Sequence, residues 1–358
     1  MIYIPRPLHD LTRRDLLKGA TALAGTAMLG VPRARAQMAP HEKDLYESAK
    51  KDGELTWYTS HSDDATAQAL ARDFEGHYAG IKVNAVRTTA QVAFQRVTQE
   101  LKAGAMQVDV LSTTDIGHCV YLKDKQLLVK YVPENLKGVI DVYKNLDPDG
   151  FYHTTSAGMV NIGYATDKVK EAEAPHAWPD LLDPKWKDKI TVGHPGFSGY
   201  VGTWVLQMRK MYGWDYFEKL AKNNPQIGRS INDTVTMMNA GERLVGATSN
   251  GTLLSVAAKG NPLSVIYPTD GAVLIIAPSG IMKGAKHQAA AKLFMEYLMS
   301  VDASKRWVEH YNESMRPEVH SLPPGKSAAE VKVVHPTVEE ITVGIPEVIK
   351  QWRDTFGV

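Results

Sequence analysis

One rhythm constrains this chain most: strand, polar loop and helix follow one another three times between residues 54 and 125. Leu55-Thr56-Trp57-Tyr58-Thr59 is β-rich and runs into Ser60-His61-Ser62-Asp63-Asp64. Residues 65–78 then take helical spacing, with Ala69, Leu70 and Phe74 on one face. Residues 81–86 alternate as a strand, end at Thr88-Thr89 and give way to a helix over 91–103. A third strand, Val108-Asp109-Val110-Leu111, runs into Ser112-Thr113-Thr114-Asp115 and a further helix. Strands alternating with helices at this spacing predict a parallel sheet with helical crossovers, an α/β domain.

The rhythm returns further on. Met159 to Tyr164 reads as a strand, and the segment Trp178 to Trp186 as a turn-rich connector. Ile190 to Gly193 is a strand running into His194-Pro195-Gly196-Phe197-Ser198-Gly199-Tyr200 and a helix over 201–211. Leu244 to Thr248 is a strand running into Ser249-Asn250-Gly251-Thr252 and a helix over 253–259. A second α/β unit is therefore expected over about 145–270, followed by a buried strand at 273–277 and closing helices that begin with 288–300.

Five of these strand-to-helix loops are rich in hydroxyl, His, Asn or Gly residues. In an open parallel sheet, ligands bind beyond the carboxyl ends of the strands. Helix N-termini present unpaired N–H groups and partial positive charge there, which suits a carboxylate, phosphate or phosphonate. The candidate binding residues are Thr59, Ser60, His61, Thr89, Thr113, Thr114, His194, Ser198, Gly199, Tyr200, Asn250 and Gly251. Plain helix capping prefers the same residue types, so any single loop is ambiguous. Loops in both units raise the binding reading.

Other chemistry is excluded residue by residue. Gly196-Phe197-Ser198-Gly199-Tyr200 has Tyr where a nucleophile elbow needs its last Gly. There is no His-Glu-x-x-His, P-loop or dinucleotide fingerprint after the leader. The one cysteine, Cys119, permits no internal disulfide, haem attachment or cysteine metal cluster, and reads as a buried small hydrophobe. No catalytic set, cofactor or metal site is expected.

Residues 1–36 read as a twin-arginine export signal: Arg13-Arg14 in a basic leader, a weakly apolar stretch from Gly19 to Val31, and Ala34-Arg35-Ala36 before Gln37. That stretch is shorter than the roughly 20 residues a membrane span needs. No lipid-anchoring cysteine follows it, so a soluble periplasmic protein is expected. The leader carries six cations against two carboxylates, so a chain at +1 leaves a remainder at −3. A mildly acidic remainder argues against nucleic acid or an anionic membrane as partner.

Residues 53–320 resemble the extracellular solute-binding proteins of ABC importers, family 1, in the ferric-ion-binding-protein-like branch. The likeness rests on Gly53 to His61, Val108 to Leu111 with Thr113, and Trp178-Pro179-Asp180-Leu181-Leu182-Asp183-Pro184-Lys185-Trp186-Lys187. Glu242 to Ala247, Tyr267 to Gly271 and Met315 to Val319 complete it. The resemblance implies a periplasmic binding protein-like fold of type II: two α/β lobes around a ligand cleft with crossing hinge strands. Lobe one would take 38–145 plus 273–358, and lobe two 146–272. It implies a monomer that captures a small anion and delivers it to an inner-membrane ABC permease, with no reaction. Asp270, after a strand near the expected hinge, would meet an ammonium or hydroxyl on the ligand. Iron-binding members carry a tyrosine pair where this chain has Ser249-Asn250-Gly251-Thr252. That favours an organic anion (phosphonate, sugar phosphate or carboxylate) over ferric iron, which stays as the alternative with Tyr200 and His61 as ligands. An exported enzyme on the same fold is the second alternative.

Overall fold

Residues 38–358 are described by a computed structural model; the leader and its twin-arginine pattern lie outside the described residues. Helix α1 (Pro40–Asp52) leads into β1 (Glu54–Thr59), α2 (Asp64–His77), β2 (Lys82–Arg87), α3 (Ala90–Lys102), β3 (Val110–Ser112) and α4 (Ile116–Asp124). Short turns lead to β4 (Tyr152–Ala165), and further turns to β5 (Ile190–Gly193), α5 (Gly199–Tyr212) and α6 (Asp215–Lys222). Then come β6 (Gln226–Gly228), α7 (Ile231–Asn239), β7 (Val245–Ser249), α8 (Asn250–Ala257), β8 (Leu263–Ile266) and β9 (Ala272–Ile281). The chain closes with α9 (Gln288–Leu298), α10 (Val301–Glu309), β10 (Val333–Val334) and α11 (Val338–Phe356).

The strands form one sheet in the order β2-β1-β3-β9-β4-β7-β5-β6, with β10 beside β9 and β8 beside β4. At one end β1 lies parallel between β2 and β3; at the other β5 lies parallel between β7 and β6. The two parallel groups meet through β9 and β4, antiparallel to each other and to β3 and β7. These long central strands are the only sheet link between the groups among the described residues.

The sequence pattern locates most of these elements and misses some for stated reasons. β4 starts seven residues before Met159, because His153-Thr154-Thr155-Ser156 reads as polar yet is fully buried. Burial there is supported locally: the Thr155 and Ser279 hydroxyls hydrogen-bond, and His153 Nε2 donates to the Tyr131 carbonyl at 2.7 Å. The strands β6 and β8, of three and four residues, are too short to give a periodic signal. Helix α6 follows α5 so closely that the two read as one polar-apolar mixture.

Each parallel group has its own aromatic core. Trp57 on β1 meets Phe294 of α9 edge-on at 5.1 Å, and Phe294 meets Phe74 of α2 at 5.1 Å. In the other group Trp204 of α5 packs against Trp178 and Phe217, and Phe217 against Trp352 of α11. Helix α11 also rests on α4, where Gly117 lets it approach the backbone of Thr342. Cys119 is buried and its thiol pKa is pushed up by desolvation.

Candidate functional site

Six helices begin where parallel strands end: α2, α3 and α4 after β1, β2 and β3, and α5, α7 and α8 after β5, β6 and β7. Their first turns converge on a narrow cleft whose free interior is about 20 Å³. Every one of the six loops contributes to its lining, from Ser60-His61-Ser62, Arg87 and Thr89, and Thr114 on one side. Ser198 and Tyr200, Ser230 to Asn232, and Ser249 and Thr252 face them from the other. Several helix N-termini directed at one space concentrate unpaired N–H groups and positive potential.

What the hydroxyls do separates capping from binding. Asp63 and Ser230 cap their own helices: Asp63 accepts from the Thr66 amide at 2.8 Å, and Ser230 forms a capping box with Asp233. Thr89, Ser198 and Ser249 hold the same position on α3, α5 and α8 but make no side-chain cap bond. The Thr89 Oγ1 atom is buried with no partner at all. A buried hydroxyl left unbonded costs about 1–3 kcal/mol, unless something else in the cleft supplies the bond.

Arg87 supplies the positive charge. It is partly buried, and burial pulls its pKa down while Asp63, Asp233 and Asp64 pull it back up from a distance. Its Nε donates to the Ser62 carbonyl at 2.8 Å, which fixes the guanidinium plane. No carboxylate lies within ion-pair distance of it among the described residues. A fixed, unpaired guanidinium presents a fork that matches carboxylate and phosphate oxygens.

His61 is fully buried, and desolvation lowers its pKa to about 4, so the ring is neutral near pH 7. Its Nε2 faces the Pro278 carbonyl at 3.1 Å and must donate there, which leaves Nδ1 as an acceptor. That Nδ1 atom is buried and unpartnered. Tyr200 is buried with its hydroxyl against Gly158 of β4, and burial followed by the charge of Glu313 pushes its pKa up. Among the described residues no group of three or more His, Cys, Asp or Glu side chains is arranged to hold a metal ion.

The cleft gathers Ser60, His61, Thr89, Thr114, Ser198 and Tyr200 from the residues expected in the sequence. The others are placed elsewhere. Thr59 accepts from the His61 amide, and Thr113 pairs with Nδ1 of His118 at 2.9 Å. His194 accepts from the Gly196 amide at 2.9 Å and points at the Val358 carbonyl, toward the chain's end. Asn250 ties β4 to the 311 turn, accepting from the Met159 amide and donating to the Tyr311 carbonyl. Gly251 gives room to Asn312, and Gly199 to the backbone of Thr114 and Asp115. Asp270 lies outside the cleft, where its Oδ2 accepts from the Trp178 amide at 2.9 Å and from the Tyr212 hydroxyl while its Oδ1 is buried without a partner.

Sequence reasoning missed Arg87, Ser230 and Asn232. Arg87 was visible as a cation at the carboxyl end of a strand beside two threonines. Ser230 and Asn232 were hidden because β6, which delivers them, is so short.

Residues 108–334 match the model of a family described as bacterial extracellular solute-binding protein. The chain is 24% identical to iron uptake protein A2 of Synechocystis over 331 residues, covering 85% of this chain and 86% of that one. It is 23% identical to a putative 2-aminoethylphosphonate-binding periplasmic protein of Salmonella typhimurium, covering 84% and 88%. Its fold matches the periplasmic binding protein AfuA of Actinobacillus pleuropneumoniae, solved with fructose-6-phosphate, with a TM-score of 0.77, 21% identity and coverage of 86% and 99%. The fold is that of the type II periplasmic binding proteins.

Proposed function

The chain belongs to the bacterial extracellular solute-binding proteins, which serve ABC importers, and from that premise we propose that its solute is a small organic anion held in the six-loop cleft. The observation that carries this is the unpaired guanidinium of Arg87 facing three helix-initiating hydroxyls that leave their own helices uncapped. An anionic oxygen would accept from Arg87 and from Thr89, Ser198 and Ser249. A hydroxyl or amine on the same ligand would donate to Nδ1 of His61. A relative named for a phosphonate and a similar structure solved with a sugar phosphate fit that class.

Lobes at 38–145 with 273–358 and at 146–272 would close over the ligand by rotation about β4 and β9, with α11, which packs on α5 and α6 of the second lobe and on α4 of the first, spanning both. Capture is selective binding followed by delivery to a permease of the inner membrane, as a monomer, with no bond made or broken. The site of action is the periplasm; no described helix is long and apolar enough to cross a membrane.

Ferric iron is the second reading, because iron uptake protein A2 is a relative and Tyr200 offers a phenol. A phenolate ligand requires Tyr200 to ionise, and its raised pKa opposes that. A thermal-shift panel of phosphate, phosphonates, sugar phosphates, carboxylates and ferric citrate tests both. A ligand at 100 times its dissociation constant adds about 2.7 kcal/mol of stability. No stabilisation by any anion refutes the proposal, and a visible tyrosinate-to-iron band lost in Tyr200→Phe replaces it with iron.

A further inference from the structure

A second cavity opens beside the crossing strands. Its floor includes Leu274 of β9, and its walls are the segment from Ile140 to Tyr143 and the chain from Tyr311 to Val333. Its free interior is about 700 Å³, far larger than that of the cleft. Ile140, Leu274, Val319, Leu322 and Val333 make most of its surface apolar.

Of the charged side chains that line it, Glu313 is the buried one. Glu313 is only 6% exposed. Its backbone is pinned to β4, with the Glu313 amide donating to the Ala157 carbonyl at 3.3 Å. The carboxylate takes one shared amide, Ala328, at 3.1 Å to each oxygen, and the Tyr143 hydroxyl. No cation pairs with it among the described residues. The basic side chains on the rim are engaged elsewhere: Arg316 holds Glu318 and the Asn135 carbonyl, and Lys326 lies over the Tyr267 ring. Burial, with a contribution from Glu330, pushes the Glu313 carboxyl up to about 7. A buried carboxylate is costly unless an opposite charge joins it.

We propose that this cavity is a second binding site, taking a small organic ammonium ion whose apolar body fills the cavity and whose N–H groups pair with Glu313. Two phenol rings, Tyr143 and Tyr311, line the same space and favour a cation over a neutral group. The site differs from the cleft in charge, although the charge of Glu313 reaches Tyr200 of the cleft: the cleft offers Arg87 and suits an anion, whereas this cavity offers the carboxylates of Glu313 and Glu330 and suits a cation. Because its floor is β9 and Glu313 is bonded to β4, an occupant would press on both strands that link the two parallel groups.

Titration calorimetry near pH 8 with phenethylammonium and its neutral counterpart 2-phenylethanol tests this. The ammonium should bind at least about tenfold more tightly, the scale of a charge-assisted hydrogen bond. Glu313→Gln should erase that preference. Val319→Trp, which fills the cavity from its wall and leaves Glu313 in place, should abolish binding of both probes. Arg87→Gln should leave ammonium binding unchanged, which separates this site from the anion cleft. Equal affinity for the two probes, no binding of either, or an ammonium preference that survives Glu313→Gln overturns the proposal.

Discussion

Gly199 offers a test of closure that needs one methyl group. A Cβ built at this position lies 2.4 Å from the carbonyl carbon and oxygen of Thr114 and 2.7 Å from the Asp115 amide nitrogen. Ordinary contact begins near 3.4 Å, so the overlap is about 1 Å and is against backbone, which cannot rotate away. Thr114 precedes α4 in one parallel group, and Gly199 opens α5 in the other. The Gln91 amide of α3 also reaches the Phe197 carbonyl at 3.5 Å, so a second element of the first group touches the Gly199 loop. Overpacking of this kind costs about 1–3 kcal/mol. Separated lobes would not feel it, and alanine is a better helix former than glycine by up to about 1 kcal/mol. Gly199→Ala should therefore hold or raise the melting temperature of the ligand-free protein. It should weaken ligand binding by about 5- to 150-fold, the equivalent of that clash. Calorimetry with the anion found by thermal shift, alongside small-angle scattering with and without ligand, reads both effects. Unchanged affinity together with normal ligand-induced compaction would show that the two loops do not meet in the bound state, and the closure argument would fail.

Other perturbations separate binding from stability. Arg87→Gln should weaken anion binding by about 10- to 150-fold, from the 1.5–3 kcal/mol of a charged hydrogen bond, with little change in denaturation midpoint. Ser198→Ala and Ser249→Ala should each leave unfolding free energy nearly unchanged, and Thr89→Ala, which removes an unbonded buried hydroxyl, should hold or raise it, whereas Asp63→Ala and Ser230→Ala should each lose about 1 kcal/mol in urea titrations. Glu313 has its folded pKa raised from 4.5 to about 7, so its contribution is intact below pH 4.5 and is lost as pH rises through 7. Glu313→Gln should then gain on the parent by up to about 3 kcal/mol between pH 5 and pH 8, read from unfolding curves at both. Asp270→Ala should destabilise by about 1–3 kcal/mol, by orphaning the Trp178 amide, and leave ligand affinity alone in calorimetry.

The fold was legible because it is written in local periodicity. Strand ends at Thr59, Arg87, Ser112, Gly193 and Ser249 all fall within two residues of where alternation or apolar runs stop. The site was only half legible, and the reason is visible in pairs of similar residues. His61 and His194 both follow strands in hydroxyl-rich loops. His61 turns into the cleft, while His194 is drawn away by the Val358 carbonyl, 164 positions distant. Asp270 looked like a ligand partner in its own turn, and the residue that claims it, Trp178, lies 92 positions earlier. Thr89 and Ser230 are both good capping residues. Three positions after Ser230 stands Asp233, which completes a capping box; three positions after Thr89 stands Val92, which has no polar atom to return the bond. That last contrast is readable in sequence. A helix-initiating hydroxyl without its acidic partner, next to a cation at a strand end, is a stronger sign of an anion site than hydroxyl content alone. Applied to this chain, it selects Thr89 beside Arg87 from the order of residues alone.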